Sequence, residues 1–190
     1  MTPYIIGIAG GSASGKTTCA LALAEALGGM RVRVIHLDDY FKPEEQRPRA
    51  KGPVTGAQYL DDNHPLTMDL PKAAQDLAEA AASGAHQAII IEGLLTLWDD
   101  AICAQLNLKL FVDCRADERI VRRLRRNMRW GLGFDEIANV YLDLVRYRHD
   151  EYVEPSKWRA DFILNGSQPS DKAIEMIAKH VGAACQPPAK

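Results

Sequence analysis

Near the start of the chain, Gly10-Gly11-Ser12-Ala13-Ser14-Gly15-Lys16-Thr17 follows the pattern G-x-x-x-x-G-K-[ST]. In such a loop, glycines let successive backbone N–H groups converge on a phosphate, and the following helix adds the partial positive charge of its N-terminus. The pattern assigns Lys16 to the β- and γ-phosphates of a nucleoside triphosphate and the Thr17 hydroxyl to Mg²⁺, with Thr18 beginning the helix. Three acids stand where chemistry on a terminal phosphate needs them. Asp38 and Asp39 directly follow an apolar run, Val32 to Leu37, and Glu92 ends another, Ile89-Ile90-Ile91. An aspartate beside the γ-phosphate can orient an acceptor hydroxyl and take its proton, a role we assign to Asp38. Glu92 reads as the carboxylate that holds Mg²⁺ through water. Turn capping by Asp38 and Asp39, and a solvated strand end at Glu92, are the plainer alternatives.

Between Arg115 and Arg129 lie seven arginines against two acids, in a chain whose formal charge is only −2. On a helix, Arg115, Arg119, Arg122, Arg126 and Arg129 fall within an arc of about 80°. Ile120, Val121, Leu124 and Met128 lie opposite. The pattern predicts a mobile lid over about 115–133, with an apolar face that packs and an arginine face that binds phosphate oxygens. A solvated basic helix is the alternative. The Gly131-Leu132-Gly133 segment supplies a hinge or simply ends the helix.

These residues must be positioned by the rest of the chain. Tyr4 to Ala9 is continuously apolar, as a strand buried on both faces of a parallel sheet would be. Lys16 to Leu27 has helical spacing and stops at Gly28-Gly29. Strands are predicted at 32–37, 88–91, 108–112 and 162–164, and helices at 70–82, 117–128, 134–148 and 170–184. Alternating strands and helices give the α/β class: a P-loop NTPase-type, doubly wound parallel sheet of about five strands with an arginine-rich helical lid. With 190 residues and 47% apolar content, one domain over 1–185 is expected, followed by a flexible tail at 186–190. The stretch 43–65, rich in proline, charge and glycine, is predicted to be a long loop. The slight negative charge excludes a broad basic field, and with it general binding of nucleic acid or membrane surfaces. Four dispersed cysteines without a CxxC, and no targeting or membrane segment, fit a cytoplasmic protein. A homo-oligomer is left open.

With these residues in hand, the chain resembles the uridine kinase family, within the larger group that includes phosphoribulokinases and nicotinamide riboside kinases. The resemblance runs from Ile6 to Thr18, through Asp38-Asp39-Tyr40-Phe41-Lys42 and Asn63-His64-Pro65 with Asp69. It continues through Phe111-Val112-Asp113, the Arg122-Arg123 pair, Tyr141, Glu154-Pro155-Ser156-Lys157 and Ala160-Asp161. It implies ATP- and Mg²⁺-dependent phosphorylation of a small, nucleoside-like acceptor, with uridine or cytidine leading. By resemblance Asp38 is the base, Arg123 lies on the ribose side and Arg126 belongs to the lid, beside Arg122 and Arg129. Tyr40 and Phe41 are candidates to stack on the acceptor. Three departures stand out. The family's ribose-binding aspartate is Asn63 here, with Asp62 one place earlier. The lid's Arg-Gly-Arg is Trp130-Gly131-Leu132 or Arg129-Trp130-Gly131 here, according to where a one-residue gap falls. Only 70–87 separates the helix start from the next strand, too short for the hairpin arm that encloses a pyrimidine. Nicotinamide riboside, or a sugar or vitamin alcohol, is therefore the runner-up acceptor. A nucleotide-binding switch without an acceptor is the rival of another class.

Overall fold

The computed structural model describes residues 2–186; the predicted tail falls outside the described residues except for Gln186. Five strands form one sheet: β1 (Tyr4–Gly10), β2 (Val32–His36), β5 (Ala88–Glu92), β6 (Leu108–Asp113) and β7 (Phe162–Asn165). Their order is β2-β5-β1-β6-β7, and every neighbouring pair is parallel. The doubly wound class is thus borne out. In β1 the side chains alternate between two cores, as strand pleating requires. Ile5 and Ala9 face one side, with Leu70, Ala73 and Leu77 of α2 (Leu70–Ala82). Ile6 and Ile8 face the other, with Ala20 and Leu23 of α1 (Lys16–Ala26) and Ile177 and Val181 of α7 (Asp171–Ala184). The same alternation splits Ile89 and Ile91 from Ile90 in β5, so both faces are covered and the sheet edge carries the loops.

The helix boundaries follow from local chemistry. Asp69 accepts from the Lys72 N–H to start α2, and Ser170 accepts from Ala173 to start α7. The helix α4 (Ala116–Arg129) closes with the Gly131 N–H on Met128 O and the Leu132 N–H on Asn127 O, with Gly131 at φ 93. That is a left-handed helix stop, and Gly133 then opens α5 (Phe134–Val140) with Glu136 returning to its N–H.

Three expectations are corrected. The stretch 43–65 is not a loop throughout: after a short 3₁₀ turn at Glu44–Gln46 it forms an antiparallel hairpin, β3 (Arg49–Lys51) with β4 (Gln58–Leu60). The helix predicted over 134–148 continues to Val153 and widens twice into π turns, at Tyr141–Val145 and His149–Val153, separated by α6 (Arg146–Arg148). A short α3 (Asp100–Cys103), capped by Asp99, falls where no element was predicted. Between α2 and β5 there is only a turn, in keeping with the short spacing there. All four cysteines are free thiols. Among the described residues no helix is long and apolar enough to cross a membrane.

Candidate active site

The glycine-rich loop joins β1 to α1 at the carboxyl edge of the sheet. Its backbone takes left-handed angles at Ala13 (φ 63) and Gly15 (φ 102), the latter capping α1. Such angles turn the chain tightly enough for consecutive N–H groups to point inward, and only glycine adopts the second without strain. A Cβ on Gly10 would lie 2.6 Å from both the Val112 carbonyl oxygen and Ser14 Oγ. Because one obstacle is backbone, Gly10→Ala is expected to lower stability by about 1–3 kcal/mol, read by urea unfolding. Unchanged stability would show that the loop has room to spare.

Lys16 is buried to 9% exposure at the head of α1. Beside it the Thr17 hydroxyl donates to Glu92 Oε1 at 2.9 Å. That carboxylate, 4% exposed, ends the strand next to β1, and its second oxygen is buried without a protein partner. His36 Nδ1 also reaches Oε1, at 2.8 Å. A carboxylate can only accept, so the bond requires a proton on Nδ1. His36 has no precedent in the sequence argument: it meets Glu92 because β2 pairs with β5 in the register that sets the two residues opposite each other.

Three arginines of α4 converge on the loop. Ser12 Oγ accepts from Arg123 Nη1 at 2.9 Å and from Arg126 Nη2 at 3.4 Å. Arg122 Nη1 donates to the Gly166 carbonyl at 2.9 Å, and Nη2 pairs with Glu118 at 3.2 Å. Burial pulls the Arg123 and Arg126 guanidinium groups below their ordinary range, the Arg126 charge adding to the effect on Arg123. The field of Asp62 on Arg123, and of Asp38 on Arg126, opposes it. Two cations held close together with little water are poised to receive an anion. Arg123 Nε is also buried without a protein partner.

Only part of the arginine face of α4 turns inward: Arg119 is 6% exposed and bonded to the Cys114 carbonyl, whereas Arg115 is exposed. On the opposite face Ile120 and Leu124 are half-buried, and Val121 and Met128 are exposed. Arg129 is exposed at the far end of α4, past the three that converge, and its neighbour Trp130 lies under Arg126 at 5.0 Å.

A cavity of about 690 Å³ opens beside the loop. Ala13 to Cys19 form its floor, Arg122 and Arg126 one wall, and Asn165 to Gly166 with the start of α7 the other. Its volume suits a nucleoside with its phosphates reaching the loop. Asp38 and Asp39 are both exposed on the 3₁₀ turn Leu37–Tyr40 that follows β2, at the carboxyl edge of the sheet. Asp62 is exposed too, paired with Arg47 at 3.2 Å, and Arg47 stacks over Phe41 at 4.8 Å. The Tyr40 hydroxyl donates to Asp76 on α2 at 3.1 Å, and its ring packs against the core. The Asn63 backbone N–H approaches Asp61, a residue outside the predicted set that is 1% exposed and ion-paired to Arg148 at 2.7 Å.

Comparison with known proteins is consistent with this geometry. The sequence profile of the "Phosphoribulokinase / Uridine kinase family" matches residues 54–172. A protein named uridine kinase from Chloroflexus aurantiacus is 34% identical, the match covering 97% of each chain. Another of that name, from Deinococcus deserti, is 29% identical over 94% of this chain and 95% of its own. The solved structure described as a "Possible Uridine Kinase" from Bacillus stearothermophilus superposes with a TM-score of 0.60 at 20% identity, covering 86% of this chain and 89% of that one.

Proposed function

Because the chain belongs to the phosphoribulokinase and uridine kinase family, and so is an ATP-dependent kinase of a nucleoside or small metabolite, we propose that it phosphorylates the 5′-hydroxyl of uridine or cytidine. The observation that carries the reading is the meeting of arginines with the glycine-rich loop: Arg123 and Arg126 both donate to Ser12 Oγ, and Lys16 is buried at the head of α1. It supplies an anion clamp around one phosphate position. The named relatives add the nucleoside.

In this reading the loop amides, Lys16 and the Arg122–Arg126 face hold the triphosphate, while the cavity beside α1 takes the adenosine. Asp38 orients the acceptor hydroxyl and accepts its proton as the oxygen attacks the γ-phosphorus. Arg126 and Lys16 stabilise the charge on the equatorial oxygens and on the departing β-phosphate. Asp62 and Arg123 hold the ribose side, with Asn63 behind Asp62. Thr17 and Glu92 fit Mg²⁺: both offer hard oxygen ligands, and the buried, unpartnered Glu92 oxygen lacks only a cation. Bound there, Mg²⁺ would neutralise charge shared by the β- and γ-phosphates. The His36 hydrogen bond fixes the Glu92 carboxylate in orientation.

One observation favours a different acceptor of the same kind. The turn between α2 and β5 leaves no arm there to enclose a pyrimidine, whereas the β3–β4 hairpin stands elsewhere. Nicotinamide riboside, or a sugar or vitamin alcohol, is the second reading. A screen of acceptors with ATP and Mg²⁺, read by the mass of the phosphorylated product, tests both. Uridine and cytidine are expected to give the highest kcat/KM. A preference for nicotinamide riboside or a non-nucleoside alcohol by more than about tenfold would replace the first reading with the second.

A further inference from the structure

The β3–β4 hairpin has only three residues in each strand and little buried surface of its own, so something else must hold it. The Asp143 carboxylate does so at the tip. It is 2% exposed and accepts from the Val54 N–H at 2.8 Å, the Thr55 N–H at 3.1 Å and the Thr55 hydroxyl. Burial acts to raise this carboxyl, but the donors from Thr55 and Val54 act against it, and its pKa falls below the ordinary value. The fit is close: a Cβ on Gly52 would collide with the Asp143 side chain.

A second grip lies at the foot. Arg148 Nε donates to Asp61 Oδ2 at 2.7 Å, and the Asp61 N–H closes the hairpin on the Pro48 carbonyl at 2.8 Å. Asp143 and Arg148 are five residues apart, which an unbroken α-helix would place on different faces. The π turn at Tyr141–Val145, bonded i to i+5, is wider than an α turn and narrows that angle, so that both residues reach the hairpin. The foot continues into the acceptor side, where Arg47 donates to Lys42 O and Asp62 and stacks on Phe41.

We propose that Asp143 and Arg148 form a two-point clasp that holds the β3–β4 hairpin across the acceptor side of the site and thereby sets affinity for the acceptor. Both are positioning residues acting through Asp61, Arg47 and Asp62. The proposal rests on the kinase reading above for its functional half; the clasp itself does not.

Two variants test it, each checked for an unchanged circular dichroism spectrum. Asp143→Ala removes the acceptor of the tip hydrogen bonds, and Gly52→Ala forces the tip away with Asp143 intact. Each is expected to speed tryptic cleavage after Arg49 and Lys51 by about tenfold or more, since charge-assisted hydrogen bonds close the opening. Each is also expected to raise KM for the preferred acceptor by about tenfold, with kcat and KM for ATP within about twofold. Unchanged cleavage would overturn the clasp. Faster cleavage with an unchanged acceptor KM would keep the clasp and overturn its role in acceptor affinity. A wild-type protein inert toward every acceptor would overturn that role and the kinase reading together, while cleavage would still decide the clasp.

Discussion

Lys16→Ala is expected to lower kcat by about 10³-fold or more at saturating ATP and acceptor, with the fold intact. Lys16 stands at the head of α1, 9% exposed, where the loop amides and the helix N-terminus already favour an anion. Those amides hold a phosphate in the ground state as well as in the transition state. A cation spanning the β- and γ-phosphates contributes most when the bond between them is breaking, so its removal falls on kcat more than on nucleotide binding. Arg122 and Arg126 are not substitutes, since they approach from α4, where Gly166, Glu118 and Ser12 already hold them. Lys16→Arg should rescue little, because a planar fork does not occupy the space of an ammonium. Single-turnover kinetics with radiolabelled ATP, beside a nucleotide-binding titration, separates the two effects. Near-normal turnover in the alanine variant would remove Lys16 from the mechanism and with it the assignment of the loop.

What the sequence disclosed here follows physical range. The strand β1, the glycine-rich loop and α1 are contiguous, and their buried run, left-handed turn and helical spacing are local, so they could be read directly. The same holds for Asp38 at the end of β2 and Glu92 at the end of β5. His36 could not be read that way, because its bond to Glu92 depends on the pairing of strands 56 residues apart. The hairpin escaped because its strands are short and mostly exposed, with arginine and lysine in place of an alternating apolar face. Its order comes from Asp143 and Arg148, far along the chain. The arginine stripe was visible as a stripe, but the partners of each guanidinium were not. Spacing separates two faces of α4, yet which arginines turn inward depends on Ser12 and the carbonyls of Cys114 and Gly166. Asp61 illustrates the same limit, since Asp61, Asp62 and Asn63 look alike in sequence and only the ion pair to Arg148 withdraws the first from solvent.

Asp38→Asn is the sharper test of chemistry, expected to lower kcat by about 10²-fold or more while ATP affinity stays within a few-fold. The substitution keeps the size of the side chain and an oxygen that can accept a hydrogen bond, so the acceptor hydroxyl can still be oriented. It removes the ability to take the proton. Asp38 is exposed on its turn, outside the glycine-rich loop, so nucleotide binding has little reason to change. Loss of the carboxylate also leaves the partly desolvated Arg126 without its nearby counter-charge, which should tighten its grip on phosphate and, if anything, slow product release. A pre-steady-state burst distinguishes these. If the variant shows a fast burst followed by slow turnover, release has become limiting and Asp38 is not the base. If the burst itself slows by about 10²-fold, proton transfer has been lost. Full turnover in Asp38→Asn together with a collapse in Asp39→Asn would move the role to the neighbouring carboxylate, exposed on the same turn.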